Sequence, residues 1–352
     1  MTTRREFLLA GAAAGLASTL SSEALAAPLP PKSTMGIAST AMSMHLNGLG
    51  VAKPMREDSM AYVEYCRSLG AGGLQFTPTG DLKKLRRRMD QLGMWFEGEA
   101  RIPASLNDDT AAFEKSLLDT KAMGGNVVRT VSRPPKGTSG RRYEGFKSLA
   151  EYTAWQEEAN AIVLKCLPIA EKIGVKIALE NHKDRLVDEH VEFIKKTSNE
   201  YLGALVDPGN NSSMLEDPTE VCTKLAPYVL SCSLKDMGVA PYEDGFLLSE
   251  VLFDTGVTNQ AQLWSILKAG NPKLNCLHEL ITRDPLQVPY FKPEYWATYP
   301  NRSAIDLAAH VQWVKTKASK LPYVSQLTPQ QRLQAEEDNN RKTLDWGRTH
   351  IT

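Results

Sequence analysis

Eight short apolar runs, each followed by a stretch of helical periodicity, recur in strict alternation between residues 35 and 317. The strand-length runs are 35–43, 74–77, 94–100, 126–132, 176–181, 203–207, 229–235 and 275–280. The helical stretches are 60–69, 82–92, 109–123, 152–173, 188–197, 218–225, 259–267 and 304–317. Gly70, Gly93, Gly124 and Gly174 follow the last apolar turn of a helix, where a residue free to turn left-handed ends it. Alternation of this kind requires parallel strands joined by right-handed crossovers. Eight units of about thirty residues close into a barrel more readily than they spread into an open sheet. No G-x-G-x-x-G follows an early strand, so nothing supports a dinucleotide-binding domain. The expected fold is α/β: a single (β/α)8 TIM barrel over 35–320 with a C-terminal helical extension, 321–352, containing a helix over 328–346.

The residues before the barrel read as an address rather than as structure. Arg4-Arg5 precede an apolar stretch rich in Ala and Gly, and Ala24-Leu25-Ala26 offers the small residues a signal peptidase reads. The pattern looks like a twin-arginine export signal over 1–26, with a linker over 27–34. An ordinary secretory signal or an unstructured start is the alternative. The apolar stretch is too short to span a bilayer stably. Export through the twin-arginine translocon implies cleavage near Ala26 and a periplasmic mature protein, folded before it leaves the cytoplasm. Cys66, Cys166, Cys222, Cys232 and Cys276 suit that route: they are odd in number, form no C-x-x-C pair, and read as buried structural thiols. Lys plus Arg equals Asp plus Glu, 41 of each, so no global field favours nucleic acid or an anionic membrane. The basic run Lys83 to Arg88 lies at helical spacing and reads as a solvated face.

In a barrel of this kind the reactive groups stand at the C-terminal strand ends. The fifth run ends Leu179-Glu180-Asn181-His182, the sixth Val206-Asp207-Pro208-Gly209-Asn210, the seventh Ser233-Leu234-Lys235-Asp236 and the eighth His278-Glu279. Any one of Glu180, Asp207 and Glu279 could be a helix cap or a surface ion-pair partner. Three carboxylates at one barrel mouth repel each other, and a divalent metal removes that penalty. An oxygen-rich donor set suits Mn²⁺ or Mg²⁺, with Zn²⁺ or Co²⁺ as alternatives.

These four segments resemble the landmarks of the xylose isomerase-like superfamily of sugar isomerases and epimerases, and the similarity spans 35–317. The resemblance implies Glu180, Asp207 and Glu279 as metal ligands, Glu180 and Glu279 as the acid/base pair, and a small carbohydrate as substrate. It implies a histidine ligand at the seventh strand as well, but Ser233 stands there, and Asn210 replaces a histidine found in some relatives. His182 either substitutes as a ligand or hydrogen-bonds substrate. Lys235, by period-two alternation, shares a face with Ser233; it either anchors substrate or pairs with Asp207 or Glu279. Arg129 and Glu99, with Glu97 and Arg101 beside it, are candidate substrate contacts. Trp95 and Trp155 either stack on a sugar ring or belong to the core. Three readings follow: an isomerase or epimerase, a lyase or hydrolase on keto-sugars, or a non-catalytic carbohydrate-binding barrel. The oligomeric state and the sugar stay open, and endonuclease chemistry lacks its histidines, with 6 in the whole chain.

Overall fold

The computed structural model describes residues 29–351; the export signal expected over 1–26 lies outside the described residues. β1 (Gly36–Ala38) runs through a 3-10 turn (Ser39–Met42) into the short α1 (Ser43–Asn47) and on to α2 (Ser59–Leu69). β2 (Gly73–Phe76) is followed by α3 (Leu82–Gln91), and β3 (Trp95–Glu99) by α4 (Ala111–Ala122). β4 (Val127–Thr130) leads to the short α5 (Arg142–Gly145) and the long α6 (Leu149–Ile173). β5 (Lys176–Glu180) precedes α7 (Val187–Thr197), β6 (Leu202–Val206) precedes α8 (Pro218–Leu225), and β7 (Val229–Leu234) comes next. The chain then departs from the alternation with an antiparallel hairpin, β8 (Asp236–Tyr242) and β9 (Gly245–Val251). After α9 (Gln260–Gly270) comes the last barrel strand, β10 (Leu277–His278); β11 (Leu286–Val288), α10 (Ala304–Lys317) and α11 (Pro329–His350) complete the described chain.

The barrel closes in the order β1-β10-β7-β6-β5-β4-β3-β2 with every pair parallel. Local chemistry starts the helices where the sequence asks: Asp58, Asp81, Asp217 and Asn259 each accept a backbone N–H of the first turn. Each such cap stabilises its helix by about 1 kcal/mol. The outward faces of the strands and the inward faces of the helices form the main apolar core, in which Ile37, Leu74, Phe96, Val206 and Leu234 meet Leu69, Leu85, Leu225 and Leu267. All five cysteines are buried free thiols. Among the described residues no helix is long and apolar enough to cross a membrane.

Trp95 belongs to the packing, at the end of the barrel opposite the expected site. Its indole covers Gly36 and Gly73, where an added Cβ would lie 2.7 and 2.0 Å from ring carbons, and its Nε1 donates to the Thr34 carbonyl. Trp155 donates to the Arg133 carbonyl and packs on Phe146 and Tyr152.

The hairpin was not anticipated, and it changes what surrounds the mouth. Tyr242 pairs with Gly245 across the turn Glu243-Asp244, and β11 lines up along β9. A Cβ on Gly245 would meet the Val288 carbonyl at 2.1 Å, so glycine is what permits that approach. Asp236 anchors the insertion by accepting from the amides of Gly256 and Thr258 at 2.9 and 3.1 Å and from the Thr258 hydroxyl at 2.6 Å. α10, expected to end the alternation on the barrel wall, packs instead against β8. The wall position is taken by α11, which packs on α1 and α2 and contributes Leu344 to the cluster holding Met35 and Ile37. Glu336 of α11 is fully buried; it accepts the amides of Met44 and His45, both at 2.9 Å, and pairs with His45 Nδ1 at 2.8 Å.

Inside the barrel, below the strand ends, Gln75, Glu97 and Ser231 form a buried polar layer. Gln75 Nε2 and Ser231 Oγ both donate to Glu97 Oε2, at 3.0 and 2.5 Å. Burial pushes the Glu97 carboxyl up to about 7, a rise that those two hydrogen bonds only partly oppose.

Two outcomes test this description. Glu336→Ala strands three donors in a dry setting and should lower the unfolding free energy by about 3 kcal/mol, read by denaturant titration. The folded chain keeps the Glu97 proton at pH values where the unfolded chain, titrating near 4.5, has released it. Stability from this residue is therefore lost as pH rises from about 4.5 to about 7. Relative to the wild type, Glu97→Gln should gain about 3 kcal/mol between pH 4 and pH 8. A difference independent of pH would show that Glu97 does not titrate in that window.

Candidate active site

Glu180 is the last residue of β5, while Asp207 and Glu279 come directly after β6 and β10. One carboxylate oxygen from each lies within 4.8 Å of the others, and all three side chains are buried. Between them, from the strand that separates β6 and β10, comes Lys235, with Nζ 2.5 Å from Asp207 Oδ2 and 3.3 Å from Glu279 Oε2. Arg129 approaches from β4: its Nε donates to Glu180 Oε2 at 2.6 Å, and its guanidinium stands 4.0 Å from Glu279 and 3.9 Å from Glu99. Glu99, at the end of β3, accepts the Ser39 hydroxyl at 2.7 Å.

The alternation along β7 can be followed residue by residue. Ser231 bonds Glu97 inside the barrel, Lys235 reaches Asp207 and Glu279, and Ser233 lies between them with its buried Oγ unpartnered. At that level β7 itself offers a small hydroxyl and no imidazole. His182 follows β5 at the mouth, partly exposed. Burial and the charges of Lys183, Arg129 and Lys235 hold its imidazole well below the usual range, so it is neutral at neutral pH. Asn210 turns inward, donating to Glu180 Oε1 at 3.1 Å and to the Asn181 carbonyl at 3.2 Å, and accepts from Lys183 Nζ. It orients a carboxylate from within the protein.

Several contributors were not singled out from the sequence. Asn181 clamps Asp207 by accepting its amide and donating to its carbonyl, both at 2.7 Å. Thr40 donates to Glu279 Oε1. Lys183 is buried, and burial, with Lys235 and Arg283 nearby, pushes its ammonium down to about 7. Glu250 of the hairpin pairs with Arg283 at the same end of the barrel. The Leu179-to-His182 segment contains Asn181, but Lys183, Thr40 and the Glu250–Arg283 pair carry no local signal.

The electrostatics follow from three carboxylates facing two close cations. Burial works against the Glu279 carboxylate, but Lys235 and Arg129 outweigh it and hold Glu279 well below the usual carboxylate range. Burial pushes Asp207 well above that range; Lys235 opposes the shift, while Glu279 and Glu180 add to it. Of the three, Asp207 is therefore the carboxyl that most readily holds a proton, and its Oδ2 accepts no oriented hydrogen bond although the Lys235 ammonium lies 2.5 Å away. A buried set of three carboxylates with an unpartnered lone pair is a donor set that a hard divalent cation fits. Glu180, Asp207 and Glu279 are the residues that would hold such an ion. A cleft of about 390 Å³, lined by Ser39, Tyr62, Glu99 and Arg101 among others, opens beside this cluster. A second cleft of about 710 Å³, between the starts of α7 and α8 and α10, is lined by none of these carboxylates.

No family model matches the sequence. A curated relative, the 3-oxo-isoapionate decarboxylase of Pectobacterium atrosepticum, is 24% identical over 235 residues, which cover 66% of this chain and 78% of that protein. Among solved structures, the zinc-bound IOLI protein superposes with a TM-score of 0.54 at 14% identity, over 90% of this chain and 99% of its own. A D-psicose 3-epimerase determined in the presence of D-fructose does so with a TM-score of 0.54 at 10% identity, over the same shares. At these identities the likeness is one of fold: this chain is a closed (β/α)8 barrel of the shape shared by xylose isomerase-like sugar epimerases and isomerases.

Proposed function

We propose that this chain is a metal-dependent sugar isomerase or epimerase that moves a proton on the carbon next to a carbonyl. The observation that carries the reading is the convergence of Glu180, Asp207 and Glu279 within 4.8 Å at the C-terminal ends of the barrel strands, buried and flanked by Arg129 and Lys235. Glu279, kept ionised by those cations, is suited to take the proton, and Glu180, oriented by Arg129 and Asn210, to return it. Arg129 and Lys235 stabilise the negative charge that develops on the substrate oxygens. His182, neutral and open to the mouth, donates a hydrogen bond to a hydroxyl. A divalent ion held by Glu180, Asp207 and Glu279 (Mn²⁺ or Mg²⁺ by donor type, Zn²⁺ or Co²⁺ as alternatives) supplies polarisation of the carbonyl and its neighbouring hydroxyl.

A second reading, a lyase on the same site, is supported by the relative named as a decarboxylase. Loss of carbon dioxide from a 3-keto acid leaves an enolate, which the same carboxylic acids can protonate. The two readings share the cluster and differ in which bond to the reacting carbon breaks.

Elemental analysis of the purified protein should find about one equivalent of a divalent metal, absent from Asp207→Asn. Glu180→Gln and Glu279→Gln should each lower kcat by about 10²- to 10⁴-fold with unchanged far-ultraviolet circular dichroism. Incorporation of solvent deuterium into ketoses reports isomerisation, and release of carbon dioxide from keto acids reports the lyase. Full activity in both glutamine variants would remove the acid/base assignment. A protein that takes up no metal even in excess Mn²⁺ points instead to a carbohydrate-binding barrel.

The paired arginines Arg4-Arg5 and the small residues ending at Ala26 support export through the twin-arginine translocon to the periplasm. Mass spectrometry of the periplasmic fraction should find a chain starting near Ala27. Arg4→Lys with Arg5→Lys should leave the precursor in the cytoplasm, and unaltered export of that variant would refute the route.

A further inference from the structure

The cleft of about 390 Å³ beside the cluster has a distribution of charge that the proton-transfer chemistry does not use. It lies at the C-terminal ends of β1, β2 and β3, and its volume is within the ~300–1,000 Å³ typical of small-molecule sites. Its inner end is Glu99, joined through Ser39 to β1 and standing 3.9 Å from Arg129, which holds Glu180. Phe76, Leu46 and Met55 give it apolar walls suited to the C–H face of a sugar. Tyr62 lines it as well, 1% exposed, with a hydroxyl that has no oxygen or nitrogen partner.

The outer part of the same cleft carries two guanidinium groups, Arg56 and Arg101, both exposed. Among the described residues neither has a carboxylate within 4.0 Å. Arg56 instead holds the neutral Asn47 Oδ1, at 3.3 and 3.1 Å. Arg129 and Arg283, deeper at the mouth, are both committed to glutamates. The cleft is thus negative at the end facing the reacting carboxylates and positive at its opening. A guanidinium without a carboxylate presents a planar fork matched to a two-oxygen anion. At the inner end the cleft is lined by Glu99, and the nearest guanidinium, Arg129, is already held by Glu180, so an uncommitted cation is offered only at the opening.

We propose that this cleft selects an acidic sugar, an open-chain or ring sugar acid, whose carboxylate is taken by Arg101 and Arg56 while its uncharged carbonyl end points toward Glu180 and Glu279. This rests on the proposed sugar chemistry at the cluster and names the class of its substrate. Arg56 and Arg101 are specificity-determining groups remote from the reacting carbon.

Calorimetric titration of the mature protein with D-gluconate and with D-glucitol tests this, because the two share a six-carbon polyol chain and differ in the carboxylate. D-gluconate should bind at least about tenfold more tightly than D-glucitol, and Arg101→Gln should remove most of that preference, with Arg56→Gln removing a smaller part. The preference should also shrink as salt rises from low to physiological concentration. Equal affinity for the two ligands, binding of neither, or a gluconate preference untouched in both variants would each overturn the proposal. Failure of the proposed function looks different: gluconate still binds through Arg101, but neither neutral nor acidic keto-sugars are turned over and Glu180→Gln changes nothing.

Discussion

Everything at the mouth of this barrel depends on how three buried carboxylates are compensated. Left alone in a dry setting, Glu180, Asp207 and Glu279 could not all be ionised, because each charge loses its hydration and repels the other two. Lys235 and Arg129 supply the compensation present in the structure itself, one between Asp207 and Glu279, the other on Glu180. The surrounding groups are arranged to keep that balance fixed: Asn181 grips the backbone of Asp207, Asn210 and Arg129 fix Glu180, and Thr40 fixes Glu279. Lys235 stands two residues past Ser233, the position at which the resemblance to sugar isomerases implies an imidazole. Its ammonium reaches the two carboxylates nearest that strand, so the wall has a cation there even with Ser233 beneath it.

The fold was legible because its information is periodic. Eight apolar runs and the glycines that close the helices specify a parallel barrel without reference to any distant contact. The acidic residues were legible for a related reason: a charge directly after an apolar strand is costly unless it is used, and three such charges at strand ends name a mouth. The alternation of Ser233 and Lys235 is readable in the same way and leaves Lys235 either to anchor substrate or to pair with a carboxylate; in the structure it pairs with both Asp207 and Glu279.

What escaped was aperiodic or local in a different code. The β8–β9 hairpin turns through Glu243-Asp244, which is not one of the strong two-residue hairpin signals, and it interrupts the eightfold rhythm between 235 and 259. With it went Glu250, which the hairpin brings back to Arg283. α10 and α11 both have helical periodicity, and nothing local says which one covers the barrel wall; that is decided by Glu336 and Leu344 meeting partners near β1. Trp95 was ambiguous between ligand platform and core because its role depends on which end of β3 it occupies relative to Gly36 and Gly73.

The bond from Met44 to Glu336 spans 292 residues, and Asn340 reaches back in the same way to the Ala41 carbonyl. The segment they secure, 39–47, includes Ser39 and Thr40, which hold Glu99 and Glu279. On the ribosome, the first loop of the barrel is made early and must wait for nearly the whole remaining chain before its own helix can be capped. A nascent chain that stops short of α11 can therefore carry Glu180, Asp207 and Glu279 and still have an unfinished mouth. The site is complete only once α11 has docked on that first loop.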